Sequence, residues 1–165
     1  MPWETSSMSL SAIDQQSGEA TPTLRIGPNE VARMANDLFS AMLGMPFNPE
    51  PQDSSGIAAP DVQASIRISG DWTAECHVLA SDELAARIAT GMFGSEAGEL
   101  SEEEIQDALG EVVNVIGGNA KGMVDLDCTL SLPCVGRFIS DQPESALTLK
   151  FECAGLPLTI VIIEN

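Results

Sequence analysis

The chain has 165 residues, of which 44% are hydrophobic, and its formal net charge at pH 7 is −18. This length suits one domain of ordinary size, and the apolar content is enough to form a buried core. The excess of acidic residues argues against nucleic acid and anionic membranes as partners, because phosphate groups require Lys and Arg.

The four cysteines and the single histidine do not form a metal-binding pattern. None of Cys76, Cys128, Cys134 and Cys153 belongs to a CxxC pair, and His77 is the only histidine, so no zinc site is expected. The cysteines lie in apolar, strand-like runs, where we expect buried and reduced thiols. No basic and then apolar segment opens the sequence, and no apolar run is long enough to span a bilayer. These features predict a cytoplasmic protein without a membrane segment.

The first part of the sequence predicts a tail, a helix and a loop. Residues 1–25 are rich in Ser, Thr, Gln and Glu, and we interpret them as a mobile tail that precedes a single domain, 26–165. A first helix is predicted from Pro28, which suits a first helical position, to Gly44, which suits a helix end. Its apolar stripe consists of Val31, Met34, Ala35, Leu38, Phe39 and Met42. The proline-rich segment 45–60 then predicts a linker or a long loop.

A β-hairpin and a second helix are predicted next. Apolar and polar residues alternate on both sides of Gly70 and Asp71, which is typical of two strands joined by a tight turn. In this pattern His77 is expected to be an exposed strand residue. The second helix is predicted to begin after the N-cap residue Ser81 and to end at Gly94.

The third helix has the clearest start signal and is predicted to run to about residue 123. Ser101 and Glu104 have the spacing of a capping box, and Leu100 and Ile105 stand at the positions of a hydrophobic staple. Its apolar side is formed by Ile105, Ala108, Leu109, Val112, Ile116, Ala120 and Met123.

A narrow polar stripe lies on the opposite side of this helix. Within a sector of about 80° stand Asp107, Glu111, Asn114, Gly118 and Lys121, with Gly117 at its edge. An ordinary solvated face is one interpretation. Glycines inside a helix cost about 1 kcal/mol each relative to Ala, and a solvated face does not require them. Close packing would explain them, either of a neighbouring element within the protein or of a partner outside it.

Three strand-like runs complete the sequence, at 128–136, 146–154 and 156–164. The last run is apolar on both faces, so we expect it to be central in its sheet or covered by another chain. The element order α-β-β-α-α-β-β-β predicts an α+β fold with helices packed on a mainly antiparallel sheet.

The third helix also resembles a known signature. Asp107, Glu111 and Asn114, continued by the residues IGGNAKG and followed by Pro133, resemble the motif of the CheC, CheX and FliY chemotaxis phosphatases. The resemblance is closest to the CheX branch, whose members have one active helix, and the first predicted helix offers no second copy of the motif. It implies a CheC-like fold, one site per chain and a homodimer.

The resemblance implies a substrate and residue roles. The substrate would be the phospho-aspartate of a CheY-type response-regulator receiver domain, which itself supplies Mg²⁺, so that this chain binds no cofactor. Asn114 would orient the attacking water, and Glu111 would pair with a lysine of the receiver. Further contacts to the receiver would come from Asp107, Gly117, Gly118 and Lys121.

Other functions remain open at this point. The same fold could bind a receiver without hydrolysing its phosphate, or it could serve as a dimerisation domain through its last strand. Asp107 fits a solvated acid equally well, and internal helix packing is the competing explanation for Gly117 and Gly118.

Overall fold

The computed structural model describes residues 25–51, 59–94, 98–139, 143 and 145–165. Within these ranges one seven-stranded sheet carries its helices on one face. The helices are α1 (Pro28–Asn36, continued by π-helical turns over Asp37–Met42), α2 (Asp82–Phe93) and α3 (Glu102–Val124). The strands are β1 (Phe47–Asn48), β2 (Val62–Gly70), β3 (Ala74–Ala80), β4 (Cys128–Leu130), β5 (Cys134–Arg137), β6 (Leu147–Cys153) and β7 (Leu156–Glu164). The predicted α+β class is confirmed.

The strand pairs of the sheet are antiparallel, in the order β1-β6-β7-β3-β2-β4, with β5 also paired to β2. The predicted hairpin is confirmed as β2 and β3, which pair from Val62 opposite Ala80 to Ile68 opposite Ala74. At its tip Gly70 has φ 132°, and a Cβ at this position would overlap the carbonyl oxygen of Asp127. Glycine is therefore required at position 70, because the end of β2 lies directly against the backbone that enters β4.

β7 lies in the interior of the sheet, between β6 and β3, as its two apolar faces predict. Leu158, Ile160 and Ile162 are buried in the core under the helices, and Val161 is completely buried although it points to the other face. The central position of β7 is one of the two arrangements that its apolar pattern predicts.

The predicted strand at 128–136 was wrong as one element, because it forms two short strands. β4 pairs with the end of β2, and β5 pairs with its beginning. Between them Pro133 has no N–H to donate to a sheet. Ser131 instead exchanges two 2.9 Å hydrogen bonds with Arg67, one to the Arg67 carbonyl through its backbone N–H and one from the Arg67 N–H to its hydroxyl.

The predicted loop at 45–60 contains the two-residue strand β1, which pairs with Glu152 and Cys153 of β6. The Phe47 ring lies between Phe39 and Phe151, with centroid separations of 5.6 and 5.4 Å. This aromatic packing, which stabilises beyond the area buried, holds the segment against the sheet. Residues 52–58 of the predicted loop lie outside the described residues.

The first helix begins at Pro28 as predicted, and Gly44 at its end has φ 64°. Its second half is π-helical, a feature that the residue pattern does not predict. The wider i→i+5 turns rotate later residues away from the 3.6-residue period. The expected burial of Met42 was therefore wrong, and 67% of its surface is exposed.

Two predictions for polar and thiol groups also need correction. His77 is 94% buried rather than exposed (relative exposure 6%), and Val161, which stands opposite it on β7, is completely buried. Its Nδ1 accepts a 2.9 Å hydrogen bond from Gln63 Nε2. Three cysteines are buried as expected, but Cys134 on β5 is exposed.

The start of α1 is tied to the end of β7 through Glu164. Its carboxylate accepts hydrogen bonds from the backbone N–H groups of Arg25 and Ile26 and from Trp72 Nε1, the last at 2.9 Å. Residues 1–24 of the predicted tail lie outside the described residues, so the boundary at 26 stays a prediction. No helix in the described part of the chain has the length and apolar character needed to cross a membrane.

Candidate active site

The beginning of α3 is fixed by local chemistry. Ser101 Oγ accepts a 3.2 Å hydrogen bond from the Glu104 N–H, and Glu104 Oε1 accepts one of 3.3 Å from the Ser101 N–H. This is the predicted capping box. Glu102 and Glu103 add carboxylates to the first turn, where the helix dipole favours negative charge. The helix thus has one defined start, which sets the direction of each side chain that follows.

One side of α3 packs on β2 and β3. Its buried residues are Ala108, Leu109, Gly110, Val112, Val113, Ile116, Gly117 and Ala120. Because this side belongs to the core, the opposite side faces out of the molecule.

The predicted polar stripe lies on this outward side. Asp107 and Glu111 are exposed, and Asn114 and Lys121 are partly exposed. None of these four side chains makes a hydrogen bond or ion pair with another described residue. Their polar groups are therefore available to a molecule outside the chain.

The two glycines of the stripe have different surroundings. A Cβ at Gly117 would stand 2.7 Å from Ile66 Cγ2 and 3.4 Å from Leu130 Cδ2, whereas a Cβ at Gly118 would meet nothing within 4 Å. Gly117 lets the helix approach β2, which favours the interpretation of internal packing for this residue. Gly118 has no such requirement and leaves bare backbone on the outward side.

A cleft of about 590 Å³ opens beside Glu111. It is lined by the end of α2, the first turns of α3, the link from β4 to β5 and the start of β5. Its lining residues are Met92, Phe93, Gln106, Asp107, Gly110, Glu111, Pro133 and Val135. The cleft thus combines apolar walls with two of the carboxylates of the stripe.

The cleft was not predicted from the sequence, although Pro133 belongs to the predicted motif. A Cβ at Gly110 would stand 3.4 Å from Pro133 Cγ and 3.7 Å from Val135 Cγ2. The proline ring therefore lies close against the helix at Gly110, the residue before Glu111. Gly110 was the available signal, since a glycine next to the stripe permits close approach. Met92 and Phe93 give no signal, because only the tertiary fold brings them here.

An exposed ion pair connects β5 with the start of α2. The Nη1 and Nη2 atoms of Arg137 donate to the Asp82 carboxylate, at 2.7 and 3.1 Å. The hydrogen bonds from Arg137 lower the pKa of Asp82. Such a bidentate contact specifies the relative orientation of the two side chains. It connects Asp82, the first residue of α2, to β5, the strand that follows Pro133.

The described residues offer no cluster of three or more His, Cys, Asp or Glu side chains that could hold a metal ion. Burial, together with the charges of Glu164 and Glu75, raises the pKa of the Cys76 thiol to about 12. Burial raises that of Cys153 to about 11. These two thiols are therefore protonated at neutral pH and are weak nucleophiles. The outward side of α3 offers different groups, which are carboxylates, an amide and an amine.

The sequence around α3 is similar to one described protein family. A family model described as chemotaxis phosphatase CheX matches residues 62–139, a range that contains all of α3 and Pro133. No curated protein sequence matches the chain.

Several solved structures share the fold. A CheX chemotaxis protein from Vibrio vulnificus aligns with a TM-score of 0.71 at 21% identity, covering 87% of this chain and 100% of its own. A CheC-like superfamily protein from Shewanella sp. PV-4 gives 0.67 at 19%, covering 83% and 96%. The CheX of Borrelia burgdorferi, solved in complex with CheY, BeF3 and Mg²⁺, gives 0.63 at 18%, covering 85% and 99%. The chain thus has a CheX sequence match across the site helix and a CheC-like fold along most of its length.

Proposed function

We propose that the chain is a phosphatase that hydrolyses the phospho-aspartate of a CheY-type receiver domain. One observation carries the proposal: Glu111 and Asn114 stand one turn apart on the outward side of α3, without a partner among the described residues. Two comparisons support it. The matching family is described as a phosphatase, and the Borrelia burgdorferi CheX forms a complex with CheY.

The chemistry requires little from this chain. An acyl phosphate is already activated, and phosphoryl transfer depends mainly on in-line placement and charge neutralisation. The Asn114 carbonyl oxygen accepts a hydrogen bond from a water and directs it at the phosphorus. A strong general base is unnecessary, which fits a helix without histidine.

The remaining groups would position the receiver. Glu111 pairs with a receiver lysine in a charge-assisted contact, and Asp107 and Lys121 extend the polar contact along the helix. Gly118 allows a receiver loop to approach the backbone. Mg²⁺ belongs to the receiver, as it accompanies CheY in the Borrelia burgdorferi complex.

A homodimer is part of the proposal, on the basis of the family resemblance. Within the described chain, the outer edge of β6 is paired only at Glu152 and Cys153, so its earlier backbone groups are open to a second strand. Sedimentation over a dilution series tests this. A species that stays monomeric at every concentration would contradict the dimer.

The phosphatase is tested by receiver dephosphorylation. A CheY-type receiver is loaded from a small phosphodonor, the donor is removed, and the decay of phospho-receiver is followed with wild type, Asn114→Ala and Asn119→Ala. Asn119 is an exposed amide on the same helix but outside the stripe. We expect acceleration by wild type and Asn119→Ala that Asn114→Ala lacks, with a loss of about 100-fold or more.

The same assay separates the alternative function. If wild type binds receivers but never accelerates the decay, the chain is a binding module rather than a phosphatase.

A further inference from the structure

The cleft beside Glu111 has apolar walls that have no part in the proposed direction of water by Asn114. Phe93, at the end of α2, is 49% exposed, and Met92 and Pro133 extend this apolar lining. A large aromatic surface left in water is costly, at about 25 cal/mol per Å² of apolar area, so a partner that covers it gains affinity.

The acidic wall of the same cleft is free of internal partners. Asp107 and Glu111 line it, and neither makes an ion pair or hydrogen bond with another described residue. α3 adds the carboxylates of Glu102 and Glu103, while its only basic residue is Lys121, near its other end. The nearby cation Arg137 is committed to Asp82. The potential at the cleft is therefore negative and attracts a cation.

Apolar walls next to a carboxylate match a side chain that is apolar along its stem and cationic at its tip. Arginine and lysine have this structure, and their cationic groups also bind favourably over an aromatic ring such as Phe93. Residues four apart on a helix, such as Asp107 and Glu111, lie about 6 Å apart. One cation can thus bind Asp107 while Glu111 holds another.

We propose that the cleft receives a second basic side chain of the receiver, distinct from the lysine that Glu111 binds. Its stem packs between Phe93 and Pro133, and its charged group binds Asp107. This proposal rests on the proposed function, and it makes the cleft a determinant of which receivers the protein binds. The residues concerned act on affinity and take no part in directing water.

The test measures affinity and turnover separately. Binding is measured with a CheY-type receiver held in its active form by BeF3 and Mg²⁺, and hydrolysis with the phosphorylated receiver. We expect Phe93→Ala and Asp107→Asn each to raise Kd and KM about 10-fold, with kcat unchanged. Asn114→Ala should do the opposite, with a normal Kd and a lost kcat.

Two controls exclude general effects. Met42→Ala removes another exposed apolar side chain, 67% exposed and outside the cleft, and Glu152→Gln neutralises an exposed carboxylate on β6. Both should leave Kd unchanged. The receiver residue is identified by replacing its surface Arg and Lys residues one at a time, and the partner of Asp107 is the one whose loss makes Asp107→Asn silent.

The outcomes of the two proposals can be distinguished. If wild type dephosphorylates the receiver and Asn114→Ala does not, while Kd is normal in Phe93→Ala and Asp107→Asn, the function stands and the cleft proposal is overturned. A loss of affinity in Phe93→Ala alone indicates an apolar occupant and also overturns it. If wild type neither binds nor dephosphorylates any receiver, both proposals fail.

Discussion

The two sides of α3 differ in how far the chain itself explains them. On the inner side, residues such as Leu109, Val112 and Ile116 are completely or almost completely buried in the core, and each has a packing reason to be apolar. On the outer side, Asp107 and Glu111 have no partner among the described residues. Packing therefore accounts for the inner side, whereas the outer side fits both a solvated helix face and the proposed receiver contact.

The adjacent residues Gly117 and Gly118 show the same difference between the inner and the outer side of α3. Both weaken the helix by their backbone freedom, but Gly117 is buried against Ile66 and Gly118 is exposed. Composition alone would treat the pair as equivalent. Their substitutions should have opposite effects on stability, and the predictions below test the contrast, beginning with the largest effect.

The outer side is tested most directly by removing one charge. Glu111→Gln keeps the shape of the side chain and should lower kcat/KM for a phosphorylated receiver by about 30-fold, because a charge-assisted contact contributes about 2 kcal/mol. The thermal midpoint should not change, since Glu111 has no partner in the described fold. Glu152→Gln, at an exposed position on β6, is the matched control. Equal activity in the two variants would place Glu111 outside the receiver contact.

The inner side is tested by Gly117→Ala. The added methyl group would stand 2.7 Å from Ile66 Cγ2, and Ile66 is a buried, β-branched core residue that has little room to move. We expect a loss of about 1–3 kcal/mol in the free energy of unfolding, measured by urea denaturation. An unchanged midpoint would mean that the helix shifts away from β2 at no cost.

Gly118→Ala should act in the other direction. The methyl group has open space, so the variant should gain up to about 1 kcal/mol in the free energy of unfolding. If a receiver loop approaches the backbone here, the same variant should show a raised KM. Higher stability with an unaltered KM would remove Gly118 from the proposed contact surface. Gly122→Ala, also exposed with open space on α3, controls for the gain in helix propensity.

The smallest effect concerns His77, a polar residue that has internal partners. Burial lowers its pKa below the usual 6.5, although the nearby charge of Glu75 partly opposes this. Below about pH 6.5 the unfolded chain takes up the proton more readily than the folded one, so the stability should decrease as the pH falls. Urea midpoints between about pH 7 and 5.5 should decline for wild type and less for His77→Gln. Parallel curves would show that His77 is protonated equally in both states.

Local signals predicted the parts of the fold that depend on neighbouring residues. The capping box at Ser101, the turn at Gly70 and the helix end at Gly94, with φ 71°, each need only a few adjacent residues. The split of the third predicted strand, at 128–136, was readable in principle from Pro133. The π-helical half of α1 and the two-residue β1 give no comparable pattern, because both depend on tertiary packing.

The same distinction holds for the candidate site. The stripe from Asp107 to Lys121 is on one helix, so its geometry follows from helical periodicity. The cleft is formed by separate parts of the sequence, namely α2, α3 and the segment that leads into β5, and no periodicity connects Phe93 with Pro133. The burial of Gly117 likewise depends on Ile66, which is 51 positions earlier in the sequence, so a helical projection could place Gly117 only at the edge of the stripe.

The pairing of β3 with β7 has a consequence for how the chain folds. β2–β3 and β6–β7 are hairpins that close over short connections, whereas β3 and β7 pair from Ala74 opposite Glu164 to Ala80 opposite Leu158. Pairing β3 with β7 closes a long loop of chain between them, and the entropy lost in this closure opposes the pairing until its hydrogen bonds and packing form. We therefore expect the joining of the two hairpins to limit the folding rate. Truncations in this seam, such as Val78→Ala, should slow refolding, whereas truncations on the outer edge should mainly speed unfolding.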